Sequence, residues 1–169
     1  LHDALPVSTH DDNRVMNTLR GSIDKAKVAA AMLLTQPGVP FIYYGEEIGM
    51  SGIKPDERIR TPMQWDATER TAGFTSGTPW EPLQNDIESV NVAAQFDDSA
   101  SLLSFYRDLI HLRQVHPALL HGDFIPVDST NDDVYAFLRR SDDETLLVLI
   151  NLMGDPLTDY SLSLDAGLP

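Results

Sequence analysis

The stretch that decides the fold runs from Asp24 to Tyr44. It reads DKAKVAAAMLLTQ over Asp24–Gln36, then Pro37-Gly38, then VPFIYY over Val39–Tyr44. The first part predicts a helix. Ala, Met and Leu are strong helix formers, Ser22 or Asp24 offers a cap, and Pro37-Gly38 is a stop signal. The second part is an unbroken apolar run rich in β-formers, which suits a strand buried on both faces, as in a parallel sheet. Ahead of the helix, Leu5–Thr9 reads as another short strand, with Pro6 tolerated near its start. Strand, helix, strand with short joints is a βαβ unit, so the two strands are expected to be parallel with a right-handed crossover.

Parallel strands end on the same side of their sheet. Both of these end in charge: Thr9-His10-Asp11-Asp12-Asn13-Arg14 after the first, Gly45-Glu46-Glu47 after the second. In α/β folds that edge is where ligands bind. A charged cluster there admits three readings: a solvated turn, a cap for the following helix, or a functional site. Its position at the ligand edge brings the third level with the first two. Glu46-Glu47 divides in the same way between a solvated loop end and part of that edge.

Residues 48–101 are polar and irregular, with Arg58, Arg60, Gln64, Trp65, Phe74 and Trp80 spread along them. A connection of this length inside a compact unit is usually functional or disordered, and two Trp with several other apolar residues argue for order. Ser101–His116 places Leu102, Leu103, Phe105, Tyr106, Leu109, Ile110, Leu112 and Val115 mostly at helical spacing. Asp97, Asp98 and Ser99 stand where a helix start favours negative charge and a cap, and Pro117 ends the helix. After Gly122 the pattern changes to short strands over Phe124–Val127, Val134–Arg139, Thr145–Leu152 and Tyr160–Leu164, separated by turn residues. That spacing signals an antiparallel sheet in a second domain. The boundary falls at His121-Gly122, giving domains over 1–121 and 122–169.

The 169 residues are 42% hydrophobic, enough for a true core, and carry a net charge of −14. So acidic a chain is a poor nucleic-acid ligand, because phosphate binding needs a basic face, but it suits a neutral substrate. No apolar run is long enough for a membrane span, and no signal peptide opens the chain. With no cysteine, neither a disulfide framework nor a thiolate metal site is expected, and the compartment stays open between cytoplasmic and secreted bacterial. His111, His116 and His121 are spaced five apart, off any one helical face, and read as surface or packing residues, so no metal site is expected. There is no glycine-rich phosphate loop and no nucleophile elbow, and no cofactor is implied. The start at Leu1-His2-Asp3 and the end at Asp165–Pro169 both read as cut from a longer chain.

These stretches together resemble one family. Thr9-His10-Asp11-Asp12-Asn13-Arg14 is similar to the Asn-His-Asp motif of the α-amylase family of glycoside hydrolases, family 13, which follows the seventh strand of a (β/α)₈ TIM barrel. Pro40–Met50 (PFIYYGEEIGM) resembles the eighth strand and its turn. Arg60–Asp66 (RTPMQWD), Ala72-Gly73-Phe74 and Pro79-Trp80 resemble the family's oligo-1,6-glucosidases, α-glucosidases and trehalose synthases, and Lys54–Glu57 leans toward the intermediate bacterial α-amylases. The implied fold class is α/β: the C-terminal βα units, strands seven and eight, of the barrel, followed by part of an antiparallel β-sandwich domain. Thr9 departs from the family's usual Asn.

Such enzymes are retaining glycosidases, with nucleophile and acid/base carboxyls about 5–5.5 Å apart and a third carboxylate that steadies the distorted sugar. The resemblance makes Asp11 that third carboxylate. It makes His10 a substrate ligand, and Arg14 a substrate-site residue that pairs with a carboxylate. Arg60 becomes a candidate at the substrate mouth, with helix–loop packing as its plainer role. The partner implied is an α-glucan or malto-oligosaccharide. The nucleophile and acid/base belong to strands four and five, and neither motif occurs here. The 169 residues alone are therefore expected to be inactive, and to self-associate through sheet edges. A non-catalytic carbohydrate-binding module using Trp65, Trp80 and Tyr43 as sugar platforms is the competing reading, although packing is the commoner use of such rings. Transfer of the trehalose synthase type is another.

Overall fold

The computed structural model describes residues 4–164, so the cut ends expected at Leu1-His2-Asp3 and Asp165–Pro169 lie outside the described residues. Strand β1 (Ala4–Pro6) leads through the short helix α1 (Val15–Thr18) and helix α2 (Ile23–Thr35) to strand β2 (Val39–Phe41). β1 and β2 pair in parallel, with Leu5 opposite Pro40. Ser22 caps α2 by accepting the Lys25 N–H at 3.3 Å.

Both strands are shorter than the sequence suggested. Ser8 and Thr9 leave the ladder to build a turn, and β2 stops where the chain bends into a 3₁₀ turn over Glu46–Ile48. Gly45 makes that bend possible, since its φ of 85° lies where a side chain is strained. The expectation that β2 is buried on both faces does not hold: Val39 and Phe41 are 51% and 55% exposed. Ile42 packs on the helical core, so one face is covered. Among the described residues nothing covers the other.

The long connection holds two short helices, α3 (Asp56–Ile59) and α4 (Val92–Phe96), before α5 (Leu102–Val115) and α6 (Pro117–His121). The cap of α5 is Ser101, which accepts the Ser104 N–H at 3.1 Å. Asp98 instead closes the preceding turn on Ala100, so the cap is Ser101 and not Ser99, at the helix start that the spacing predicts. Ala26, Ala30 and Leu34 of α2 meet Leu102 and Tyr106 of α5 with Met16 of α1 in one apolar cluster. The alanines let the two helices approach closely.

Strands β3 (Asp123–Ser129), β4 (Val134–Arg140), β5 (Thr145–Asn151) and β6 (Leu162–Ser163) form an antiparallel sheet in the order β5-β4-β3-β6. Two buried arginines gather at the C-terminus of α2, where carbonyls lack partners and the helix dipole favours a cation; one ties α5 to that end and the other fastens the sheet to it. Arg113 donates to the carbonyls of Leu34, Gln36 and Gly38 at 2.7–3.0 Å. Arg139 of β4 donates to Thr35 and Gly122 at 2.7 and 2.9 Å. Gly122 is obligatory by contact, because a Cβ there would strike the carbonyls of Ala118 and Arg140. Glu144, in the β4–β5 turn, accepts the Ala118 N–H and pairs with His116 Nδ1 at 2.8 Å. His116 is therefore a packing histidine.

Replacing Arg113 by Met should leave three carbonyls without their donor and cost about 1–3 kcal/mol. A lowered urea midpoint with an unchanged slope would report it.

Candidate active site

Thr9 shapes the turn after β1. Its hydroxyl donates to Asp12 Oδ2 at 2.7 Å and accepts the Asp11 N–H at 3.2 Å. His10 and Asp11 are thereby thrown outward, with side chains 68% and 65% exposed and 3.2 Å between His10 Nε2 and Asp11 Oδ2. The cluster does not cap a helix: Arg14 occupies the N-cap of α1 and makes no side-chain cap bond.

Arg60 reaches this turn from the far side of the sequence. Its Nη2 donates to Asp11 Oδ1 at 3.0 Å and to Asp56 Oδ2 at 2.8 Å, while its Nε donates to the His10 carbonyl at 3.0 Å. Two tyrosines at the end of β2 hold the backbone on either side of it. The Tyr43 hydroxyl donates to the Ile59 carbonyl at 3.1 Å and that of Tyr44 to the Thr61 carbonyl at 2.6 Å. The structure thus brings His10, Asp11 and Arg60 together.

Arg14 goes elsewhere. It is fully buried, donates from Nη1 to the Tyr44 carbonyl at 2.6 Å, and lies 4.7 Å from both the Tyr43 and Tyr44 ring centres. Cation–π attraction offsets part of its desolvation, yet burial still lowers its pKa. Its Nε and Nη2 have no hydrogen-bond partner among the described residues. It forms no ion pair with Asp11, because the chain after Asn13 turns inward beneath the site.

Glu46 and Glu47 are part of this buried layer, which settles the sequence ambiguity against a solvated loop end. Glu46 is 1% exposed. Its Oε1 accepts a hydrogen bond from Ser8 Oγ, and its Oε2 accepts the Tyr43 N–H at 3.3 Å. Burial is the largest influence on its carboxyl and pushes it up to about 7, against the opposing pull of Ser8, Tyr43 and Arg14. Burial also raises Glu47, one of whose oxygens is buried without a partner. A cue lay in the sequence: carboxylates framed by Gly45 and Gly49 at the end of an apolar strand.

Trp65, Phe74 and Trp80 are 51%, 47% and 58% exposed and line one hollow with Tyr44, Arg60 and Met63. They do not pack a core. Tyr43 is half-buried and committed to Arg14 and Ile59, so it is no sugar platform. Among the described residues no group of three or more His, Asp or Glu could hold a metal ion, and no helix is long and apolar enough to cross a membrane.

The family profile described as "Alpha amylase, catalytic domain" matches residues 2–122, and the chain belongs to the alpha-amylase family. It is 38% identical to the alpha-amylase SusG of Bacteroides thetaiotaomicron, over 93% of this chain and 24% of that protein. With an oligo-1,6-glucosidase of Halalkalibacterium halodurans the identity is 30%, over 90% and 34%. With the trehalose synthase/amylase TreS of Mycobacterium tuberculosis it is 35%, over 85% and 26%. Among solved structures, an inactive double mutant of MUTB superposes with a TM-score of 0.80 at 30% identity, covering 91% of this chain and 35% of that one. An isomaltulose synthase from Erwinia rhapontici in complex with D-glucose gives 0.75 at 31%, covering 88% and 34%. The chain spans about a quarter to a third of the length of the curated relatives it matches.

The raised Glu46 carboxyl makes a pH prediction. Its folded pKa of about 7 exceeds the ordinary 4.5, so between those values the folded state holds the extra proton. Stability from this group is complete below pH 4.5 and is lost as pH rises through 7. Glu46→Gln should remove that part of the slope, seen in urea midpoints measured from pH 4.5 to 8.

Proposed function

We propose that this chain is the C-terminal portion of a retaining enzyme acting on α-glucosidic bonds of starch-like or oligosaccharide substrates. In this reading residues 1–121 supply the last two βα units of a (β/α)₈ barrel, and residues 122–169 begin a C-terminal β-sandwich. The observation that carries it is the convergence of Asp11, His10 and Arg60 just beyond the ends of two parallel strands. The bare face of β2, with Val39 and Phe41 exposed, fits a barrel interior that further strands would fill.

Asp11 is the transition-state-stabilising carboxylate. Its negative charge favours the oxocarbenium-like sugar, and its hydrogen bonds to ring hydroxyls tighten as the ring distorts. Arg60 binds substrate as well, and aims Asp11 through the 3.0 Å contact. His10 shares the same sugar. Arg14 serves the substrate site from below, its two unpartnered nitrogens suited to a carboxylate contributed from outside these residues. The nucleophile and acid/base lie on other strands, so the 169-residue chain alone is silent. The bare strand face also makes self-association of the isolated chain the expected state.

Whether water or a second sugar accepts the glucosyl unit divides hydrolysis from transfer. The resemblance to trehalose synthase and isomaltulose synthase keeps transfer as a second reading. A non-catalytic sugar-binding role is a third, supported by the exposed Trp65, Phe74 and Trp80.

In the complete enzyme, Asp11→Asn should lower kcat roughly 100-fold or more while KM moves little. Equal loss in both parameters would remove the assignment. The 169-residue chain should not hydrolyse a chromogenic α-glucoside above background, and micromolar malto-oligosaccharide binding in calorimetry would favour the binding-module reading instead.

A further inference from the structure

The reaction proposed above needs His10 and Asp11 held at a fixed height over the sheet, yet both side chains are exposed, and the bonds to their turn come from Thr9 within it and from Arg60 across it. The chain leaves β1 at Pro6, and Ser8 is the last residue before the turn that is buried. Ser8 is anchored to the carboxyl group of Glu46. The second oxygen of that carboxyl accepts the Tyr43 N–H, just past the end of β2. One buried side chain therefore fastens the exits of both parallel strands, at a level where their ladder has already ended and no backbone pairing can do so.

We propose that Glu46 is a positioning residue for the sugar-binding turn, holding Ser8, and through it His10 and Asp11, in register with the end of β2. This rests on the assignment of Asp11 as the transition-state-stabilising carboxylate. The alternative arrangement, a small residue at 46, leaves Ser8 and the Tyr43 N–H unpaired in a buried layer, and each then draws the strand exit toward another partner or water. Displacement of about 1 Å at a reacting group is enough to cost up to 10²-fold in rate.

The groups around Glu46 are Ser8 beyond β1, Arg14 ahead of α1, Tyr43 and Glu47 on its own segment, and Tyr106 from α5. Arg14 is the cation among them, and it gives the same carboxyl a second reason to be there. A purely electrostatic role toward Arg14 and a positioning role toward Ser8 make different predictions. Gln at position 46 retains both hydrogen bonds, its carbonyl accepting from Tyr43 and its amide donating to Ser8 Oγ, but has no charge. Ser8→Ala removes the fastening and keeps the charge.

The experiment is steady-state kinetics of the complete enzyme carrying Ser8→Ala, Glu46→Ala or Glu46→Gln, on a chromogenic α-glucoside and on maltotriose. Positioning predicts that Ser8→Ala and Glu46→Ala each lower kcat roughly 10- to 100-fold with KM within about threefold, and that Glu46→Gln restores most of the loss. If Ser8→Ala turns over like the wild type, the proposal is overturned, whatever Glu46→Ala does. It is equally overturned if Glu46→Gln is as impaired as Glu46→Ala, because charge toward Arg14 is then what matters. Should Glu46→Ala fail to fold, Ser8→Ala alone decides. Inactivity of the wild-type enzyme on every α-glucoside would instead remove the functional reading on which this one stands.

Discussion

A guanidinium with no solvent contact must be answered by its surroundings, and Arg14 sets that demand at the centre of this molecule. One nitrogen is satisfied by the Tyr44 carbonyl, and the faces of Tyr43 and Tyr44 supply π-electron density. Those same rings turn their hydroxyls to Ile59 and Thr61, which fixes the backbone on both sides of Arg60. Arg60 then meets Asp11. A buried cation thus ties the segment after β1, the segment after β2 and the start of the long connection into one layer beneath the exposed turn.

Much of this layout was legible from sequence because it rests on local rules. The helix over Ile23–Thr35 announced itself through its Ala-rich run, its serine cap and the Pro37-Gly38 stop. The parallel pairing followed from chain connectivity. The His10–Asp11 turn was legible as a charged group at the end of an apolar strand. What resisted was set by partners distant in sequence. Nothing near Arg14 reveals that Tyr43 and Tyr44 will receive it. Nothing near Glu46 reveals Ser8, 38 residues away, so a buried carboxyl was open to reading as a solvated loop end. Trp65 and Trp80 were expected to pack because large rings usually do, and their exposure depends on how the connection drapes. Burial of β2 on both faces failed for a related reason. Apolar composition records what a strand is suited to touch, whereas exposure records what is there to touch it.

The antiparallel sheet is held by a different kind of contact from the helical core. The face opposite Arg139 contributes Val127, Ala136 and Leu138 to a small apolar cluster of its own. The sheet's polar grip on the helices comes from Arg139, which reaches a carbonyl at the end of α2, and from Glu144, which holds the start of α6. Directional bonds of this sort fix an angle between two bodies more tightly than apolar packing does, since their geometry tolerates little rotation.

The location of that grip has a consequence for rebuilding the protein. The arginines act at the C-terminal end of α2, which feeds the beginning of β2, while Asp11 and Arg60 stand beyond the other end of the strands. The two poles are separated by the length of the βαβ unit and share no side chain. Segments of the long connection, from Ser51 to Asn91, can therefore be exchanged for those of a relative without disturbing how the sheet is moored. The reverse also holds: a sheet grafted at Gly122 must bring an arginine to the place of Arg139 and a carboxylate to that of Glu144.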